Sequence, residues 1–108
     1  VLVPYLGQLK LINDLLRNHD LVGDVGERDA DDLLKIGIDQ PWSISANSTR
    51  RIRVSTIDNY QGEEADVVVA SLVRSNREGM LGFLGKADAE QRVNVLCTRA
   101  RCGLVLLG

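Results

Sequence analysis

Ser55-Thr56-Ile57-Asp58-Asn59-Tyr60-Gln61-Gly62-Glu63-Glu64-Ala65-Asp66, continuing as Val67-Val68-Val69-Ala70-Ser71-Leu72-Val73-Arg74-Ser75-Asn76, decides the reading of this chain. Arg53 to Asp58 alternates, with Ile52, Val54 and Thr56 on one side, and predicts a strand. A polar turn with a glycine follows. Val67 to Val73 is then nearly continuous aliphatic sequence, as expected of a parallel strand buried on both faces. Two buried strands joined by a loop carrying Asp, Gln and two Glu put charge-bearing groups at one edge of a sheet. Open α/β sheets bind ligands at such edges.

Outward from this stretch, Val1 to Pro4 predicts a central strand that leaves the sheet at the proline, with Tyr5 to Gly7 as the turn. Leu9, Leu11, Ile12, Leu15 and Leu16 form a helical stripe from Gln8 to about Asn18. A chain opening directly on a buried strand reads as a piece cut from a longer polypeptide. Residues 19–51 read as a variable insert, punctuated by Gly23, Gly26, Gly37, Pro41 and a polar run from Ser43 to Arg50. Within it, Asp29 to Ile36 predicts a short helix with Leu33, Leu34 and Ile36 facing inward and the acidic residues as a solvated face. Trp42 reads as the cap of a hydrophobic loop, and 78–86 as a glycine-rich loop. Ala87 to Arg101 predicts a helix with Asp88 as N-cap and an inner face of Ala89, Val93, Leu96, Cys97 and Ala100. Gly103 stops it, and Leu104 to Leu107 is a last strand. The alternation defines an α/β fold, a mostly parallel sheet flanked by helices.

At 108 residues and 44% hydrophobic content the chain is one domain or a piece of one. A net charge of −2 argues against a protein that coats nucleic acid non-specifically, yet the charge is uneven. Residues 14–39 hold eight acidic and three basic residues, a local −5, leaving +3 for the remainder. That asymmetry is compatible with a localised phosphate site. Cys97 and Cys102, with no second pair, do not make a zinc site, so no metal site is expected. They read as reduced, mostly buried thiols of an intracellular protein. No apolar run approaches the roughly 20 residues that span a bilayer, so no membrane partner is expected.

Arg99 and Arg101 fall near the end of the predicted last helix, where two arginines are compatible with the helix dipole as surface charge. An arginine offered by one domain to a phosphate held by another is also how many NTPases stabilise charge on a γ-phosphate. Gln61, Glu63 and Glu64 are ordinary turn residues or bond a ribose, a water or a base. Ser55 and Thr56 are plain strand hydroxyls or donors to a nucleic-acid phosphate. Gly85-Lys86 is followed by Ala87, so the pattern G-x-x-x-x-G-K-[ST] of a phosphate loop is not met.

Pro4-Tyr5-x-x-Gln8, Thr56-Ile57-Asp58-x-Tyr60-Gln61-Gly62-x-Glu64-x-Asp66, Ser71-x-Val73-Arg74-Ser75-Asn76, Gly82-Phe83-Leu84 and Arg92-x-Asn94-Val95-x-x-Thr98-Arg99-Ala100-Arg101 occur in that order. The series resembles motifs IV, V, Va and VI of the superfamily-1 helicases of the Upf/Dna2-NAM7 class. Within that class the chain looks most like the NFX-type zinc-finger helicases linked to RNA silencing. The resemblance implies part of a second RecA-like domain, P-loop NTPase type, in an ATP-dependent helicase. ATP and Mg²⁺ are then held mainly by the first RecA-like domain of the same polypeptide, so this chain by itself is not active. It implies an arginine finger at Arg99 and a motif V carboxylate at Glu64, with Gln8 and Gly62 also on the nucleotide. Ser55, Thr56, Asp58, Gln61, Arg74 and Asn76 would follow the track, RNA or single-stranded DNA, with RNA favoured. A nuclear or cytoplasmic placement goes with the family. Some relatives carry an arginine after the motif IV glutamine, where Leu9 stands here with Lys10 next. Leu96-Cys97 replaces the usual Ala-Leu. The alternative reading is a non-catalytic interaction module that keeps a degenerate helicase fold.

Overall fold

A computed structural model describes residues 1–19, 21–38, 51–72 and 87–108. Its elements run β1 (Leu2–Val3), α1 (Leu6–Asn18), β2 (Val22–Val25), α2 (Glu27–Lys35), β3 (Arg51–Thr56), a 3₁₀ turn (Asp58–Tyr60), β4 (Ala65–Ser71), α3 (Ala89–Cys97) and β5 (Ala100–Leu107). The five strands form one sheet in the order β2-β3-β1-β4-β5, with every pairing parallel. The short apolar β1 is central, as its composition predicts, with Leu2 level with Ser55 on one side and Ala70 on the other.

Alternation along the strands sorts the core into two layers. Leu2, Val68 and Ala70 face Ile57, Tyr60 and Leu96, so the 3₁₀ turn and α3 cover that side. Val3 and Val54 face Leu9 of α1 and Leu33 of α2 on the other. Helices on both faces of a parallel sheet make this a RecA-like α/β architecture.

Residues 21–38, the described part of the expected insert, are better organised than their glycines suggest. Val22-Gly23-Asp24-Val25 is a strand whose four residues all pair with Arg51 to Val54, α1 packs against it, and Val25 meets the cluster that Leu33 of α2 enters. Of the residues expected inward on α2 only Leu33 is buried, while Leu34 and Ile36 are exposed. Leu11 and Leu15 of α1 are likewise exposed, because the stripe that meets the sheet runs through Leu9, Ile12, Asn13 and Leu16. Val67 is 61% exposed, so β4 is not buried on both faces along its whole length. Cys97 and Cys102 are exposed, correcting the expectation of buried thiols. No described helix is long and apolar enough to cross a membrane. Trp42, the 78–86 loop, Arg74 and Asn76 lie outside the described residues.

Gly23 is fixed by close approach. A Cβ there would lie 1.6 Å from Oδ1 of Asn13, the polar residue buried in the α1 stripe. Among the described residues neither polar atom of that amide has a hydrogen-bond partner. Gly23→Ala is therefore expected to destabilise the domain by about 1–3 kcal/mol, the usual range for overpacking. Asn13→Ala should recover much of the loss by vacating the same space. A double-mutant cycle in urea checks this, and simple additivity would show that the two residues do not compete.

Candidate functional site: the Gln-Gly-Glu turn and Arg99

Between the end of β3 and the start of β4 the chain crosses one face of the sheet from its C-terminal to its N-terminal edge. The aliphatic Ile57 and the ring of Tyr60 enter the core on the way. Burial raises the pKa of the Tyr60 phenol, and the Glu63 carboxylate adds to the rise against Arg53, Arg99 and Arg101. The turn at the far end has a definite chemistry. Gln61 has φ −64° and ψ 132°, Gly62 has φ +81°, and the Glu63 N–H donates to the Tyr60 carbonyl at 3.3 Å. This is a type II turn, which needs a positive φ at its third residue and hence glycine. Gln61, Gly62, Glu63 and Glu64 are all exposed on it.

Arg99 stands beside this turn. The last helix ends at Cys97 and β5 begins at Ala100, so Arg99 occupies the bend between them and not a helical turn. Its carbonyl accepts the Ala65 N–H at 3.0 Å, tying the bend to the start of β4. Its Nε donates to the Val95 carbonyl at 3.2 Å and one terminal nitrogen to the Glu63 carbonyl at 3.4 Å. A guanidinium has five N–H donors; among the described residues two are spent in this way. Arg101 lies in β5, where its Nε meets Asp66 at 3.2 Å on an open surface. Gly103 does not stop a helix; it sits within β5 opposite Val67. Asp88 is at the N-cap of α3, but its carboxylate caps no N–H and instead meets Arg92 at 3.1 Å.

The structure brings Gly62, Glu64 and Arg99 to one edge of the sheet. It does not bring Gln8 there. Gln8 Nε2 donates to Ser71 Oγ at 2.7 Å and to the Ser71 carbonyl at 3.2 Å. Ser71 is the last residue of β4, and Arg99 lies by its first. At roughly 3.3 Å per residue that is a separation of about 20 Å, so Gln8 pins α1 to the strand end. Lys10, the candidate replacement for the motif IV arginine, pairs with Asp14 at 2.6 Å.

Ser55 and Thr56 also depart from expectation. They are 0% and 6% exposed, and both hydroxyls donate to the carboxylate of Asp29. They are not offered to an outside phosphate. Asp58 and Gln61 do reach the surface, and with Asp88, Gln91 and Arg92 they line a groove of about 310 Å³ between the 3₁₀ turn and α3. Asp58 meets Arg92 Nε at 3.2 Å in that groove. On the neighbouring side Arg53 joins Glu63 at 3.1 Å. Asp29, Asn59, Arg53 and Arg92 were not among the expected site residues. Asp29 carried a signal, because it lies four residues before the buried Leu33 and so on the same helical face.

Fold and site together define a RecA-like domain with an arginine beside the turn at one edge of its sheet. The AAA_12 family, described as an AAA domain, matches residues 1–108. Human DNA replication ATP-dependent helicase/nuclease DNA2 is 35% identical over 108 residues, covering 100% of this chain and 7% of that protein. Human NFX1-type zinc finger-containing protein 1 is 46% identical over 57 residues, 53% of this chain and 3% of that protein. The Arabidopsis thaliana regulator of nonsense transcripts 1 homolog is 44% identical over 59 residues, 55% of this chain and 4% of that protein. The chain therefore belongs to the AAA_12 family and is a superfamily-1 helicase domain of the Upf/Dna2-NAM7 class. It spans a small fraction of the curated relatives it matches.

Proposed function

We propose that this chain is the cleft-facing part of the second RecA-like domain of an ATP-dependent helicase, and that Arg99 is its arginine finger. The observation that carries the reading is the position of Arg99, held by its backbone at the start of β4 and by two carbonyls, with N–H donors left over beside the Gln61–Glu64 turn. A guanidinium fixed in this way stabilises charge that develops on a γ-phosphate presented from across the cleft. The turn places Gly62 and the Glu64 carboxylate on the same edge, where Glu64 can accept from a ribose hydroxyl or an ordered water. Phosphate loop and Mg²⁺ ligands are assigned to the first RecA-like domain of the same polypeptide. The intact polypeptide with Arg99→Ala tests the finger: loss of steady-state ATPase is expected, and wild-type turnover would remove the role.

The track is assigned to RNA, on the resemblance to the NFX-type helicases and on the higher identity, over a shorter span of 57 and 59 residues, to the NFX1-type and nonsense-transcript relatives. Asp58 and Gln61, with Arg74 and Asn76, are its candidate contacts. ATPase stimulation by a single-stranded RNA homopolymer is expected to exceed that by single-stranded DNA of equal length at one fixed salt concentration, since such affinities depend steeply on salt. Stronger stimulation by DNA would reverse the assignment. In either case the reading is intracellular, nuclear or cytoplasmic, as its nucleic-acid partner requires.

A further inference from the structure

Asp29 is 1% exposed, and among the described residues no cation meets its carboxylate. Four donors converge on it. Ser55 Oγ at 2.6 Å and the Thr56 N–H at 3.1 Å donate to Oδ2. Thr56 Oγ1 and, at 2.8 Å, Asn59 Nδ2 donate to Oδ1. Two bonds to each oxygen saturate the group, which is how a buried carboxylate offsets its lost hydration. The pairing of β2 with β3 ends at Val25 and Val54, and the Thr56 N–H just beyond it takes the Asp29 carboxylate as its acceptor, so the group also completes the backbone bonding of β3.

Its further consequence is geometric. It joins three elements, the first turn of α2, the end of β3 and the 3₁₀ turn. Asn59 is held twice, since its Nδ2 also donates to Asp32 Oδ2 at 3.0 Å, a bond that lowers the pKa of that carboxyl. The next residue is Tyr60, whose ring is locked in the core and whose carbonyl closes the turn on Glu63. The Glu63 carbonyl in turn receives Arg99. A continuous path of short contacts thus runs from Asp29 through Asn59, Tyr60 and Glu63 to Arg99. It passes Asp58 and Gln61, the exposed residues proposed for the track.

We propose that Asp29 is the positioning residue of this site, fixing the 3₁₀ turn so that occupancy of the track is felt at Arg99. The assignment rests on the helicase reading above. Rigid segments with several satisfied anchors carry coupling between sites, whereas loosely held ones absorb it. Asp29→Ala removes all four bonds. Asp29→Asn keeps part of them: its oxygen can serve Ser55 and the Thr56 N–H, but its NH₂ then faces Asn59, which must turn its amide and release Asp32.

The test is steady-state ATPase of the intact helicase, with and without a single-stranded RNA homopolymer. In Asp29→Ala the RNA-stimulated kcat should fall by about tenfold, within the range expected of a residue that acts through others. The ATP KM and the basal rate should change far less, so the stimulation ratio collapses; Asp29→Asn should fall in between. A purely structural role would scale basal and stimulated rates together and leave the ratio intact, and that result overturns the proposal, as do unchanged rates. If the alanine variant does not fold, the asparagine variant is judged on the same ratio. Arg99→Ala is run in parallel. If it retains ATPase, the finger role of Arg99 fails and the positioning role with it; if it is inactive while the Asp29 variants keep a normal ratio, only the positioning role is lost.

Discussion

Arg99→Ala in the intact helicase is expected to lower steady-state ATPase by about 10³–10⁵-fold, the range for loss of an arginine finger, which corresponds to about 4–7 kcal/mol of transition-state stabilisation. The magnitude follows from preorganisation. Arg99 is fixed through its carbonyl on Ala65 and through two side-chain bonds to Val95 and Glu63. The guanidinium therefore has little freedom to lose when a phosphate arrives. Arg99→Lys should recover only a small part, because an ammonium keeps the charge but cannot hold two carbonyls and fork onto an anion together. Arg101→Ala is the control. Its partner Asp66 and Arg101 itself are both exposed, and such surface pairs contribute at most about 1 kcal/mol. Turnover within a few-fold of wild type is expected there. Equal effects at both positions would mean that general positive charge, and not a placed finger, matters at this edge.

Much of this architecture was legible in the sequence, and the parts that were not share a cause. β1 and β4 are aliphatic runs whose type follows from composition, and the glycine of Gln61-Gly62 marks a turn that needs a positive φ. The ordered motifs placed Arg99 near Glu64. What the pattern could not show was pairing. Val22-Gly23-Asp24-Val25 has turn-like composition and is a strand only because β3 lies beside it. Gly103 looked like a helix stop and is a strand residue opposite Val67. Asp29 was grouped with its acidic neighbours as solvated, yet its donors come from 26 to 30 residues away. Similarly, the motif order put Gln8 among the nucleotide residues, and the parallel register carried it to the opposite edge. Local periodicity reports which residues share a face; it does not report where a long-range hydrogen bond ends.

The status of residues 21–38 yields the second large effect, Leu33→Ala. Were this stretch a decoration hung on the sheet, truncating one leucine in it would cost within about 0.5 kcal/mol, as surface substitutions do. Leu33 is instead wholly buried, in one cluster with Val3 of the central strand, Leu9 of α1 and Val54 of β3. Removing a leucine side chain from such a cluster costs about 2–5 kcal/mol, from transfer plus the cavity left behind. The loss should reach past α2, because Val54 immediately precedes the Ser55 and Thr56 that Asp29 holds. Hydrogen exchange of the β3 amides is the measurement. Their protection in Leu33→Ala should fall by about 30-fold to several thousand-fold, the same free energy expressed as an opening equilibrium. Leu34→Ala, one residue along and exposed, should leave that protection within about twofold. If both variants leave β3 equally protected, α2 is not part of the core and Asp29 has no rigid base from which to hold the turn.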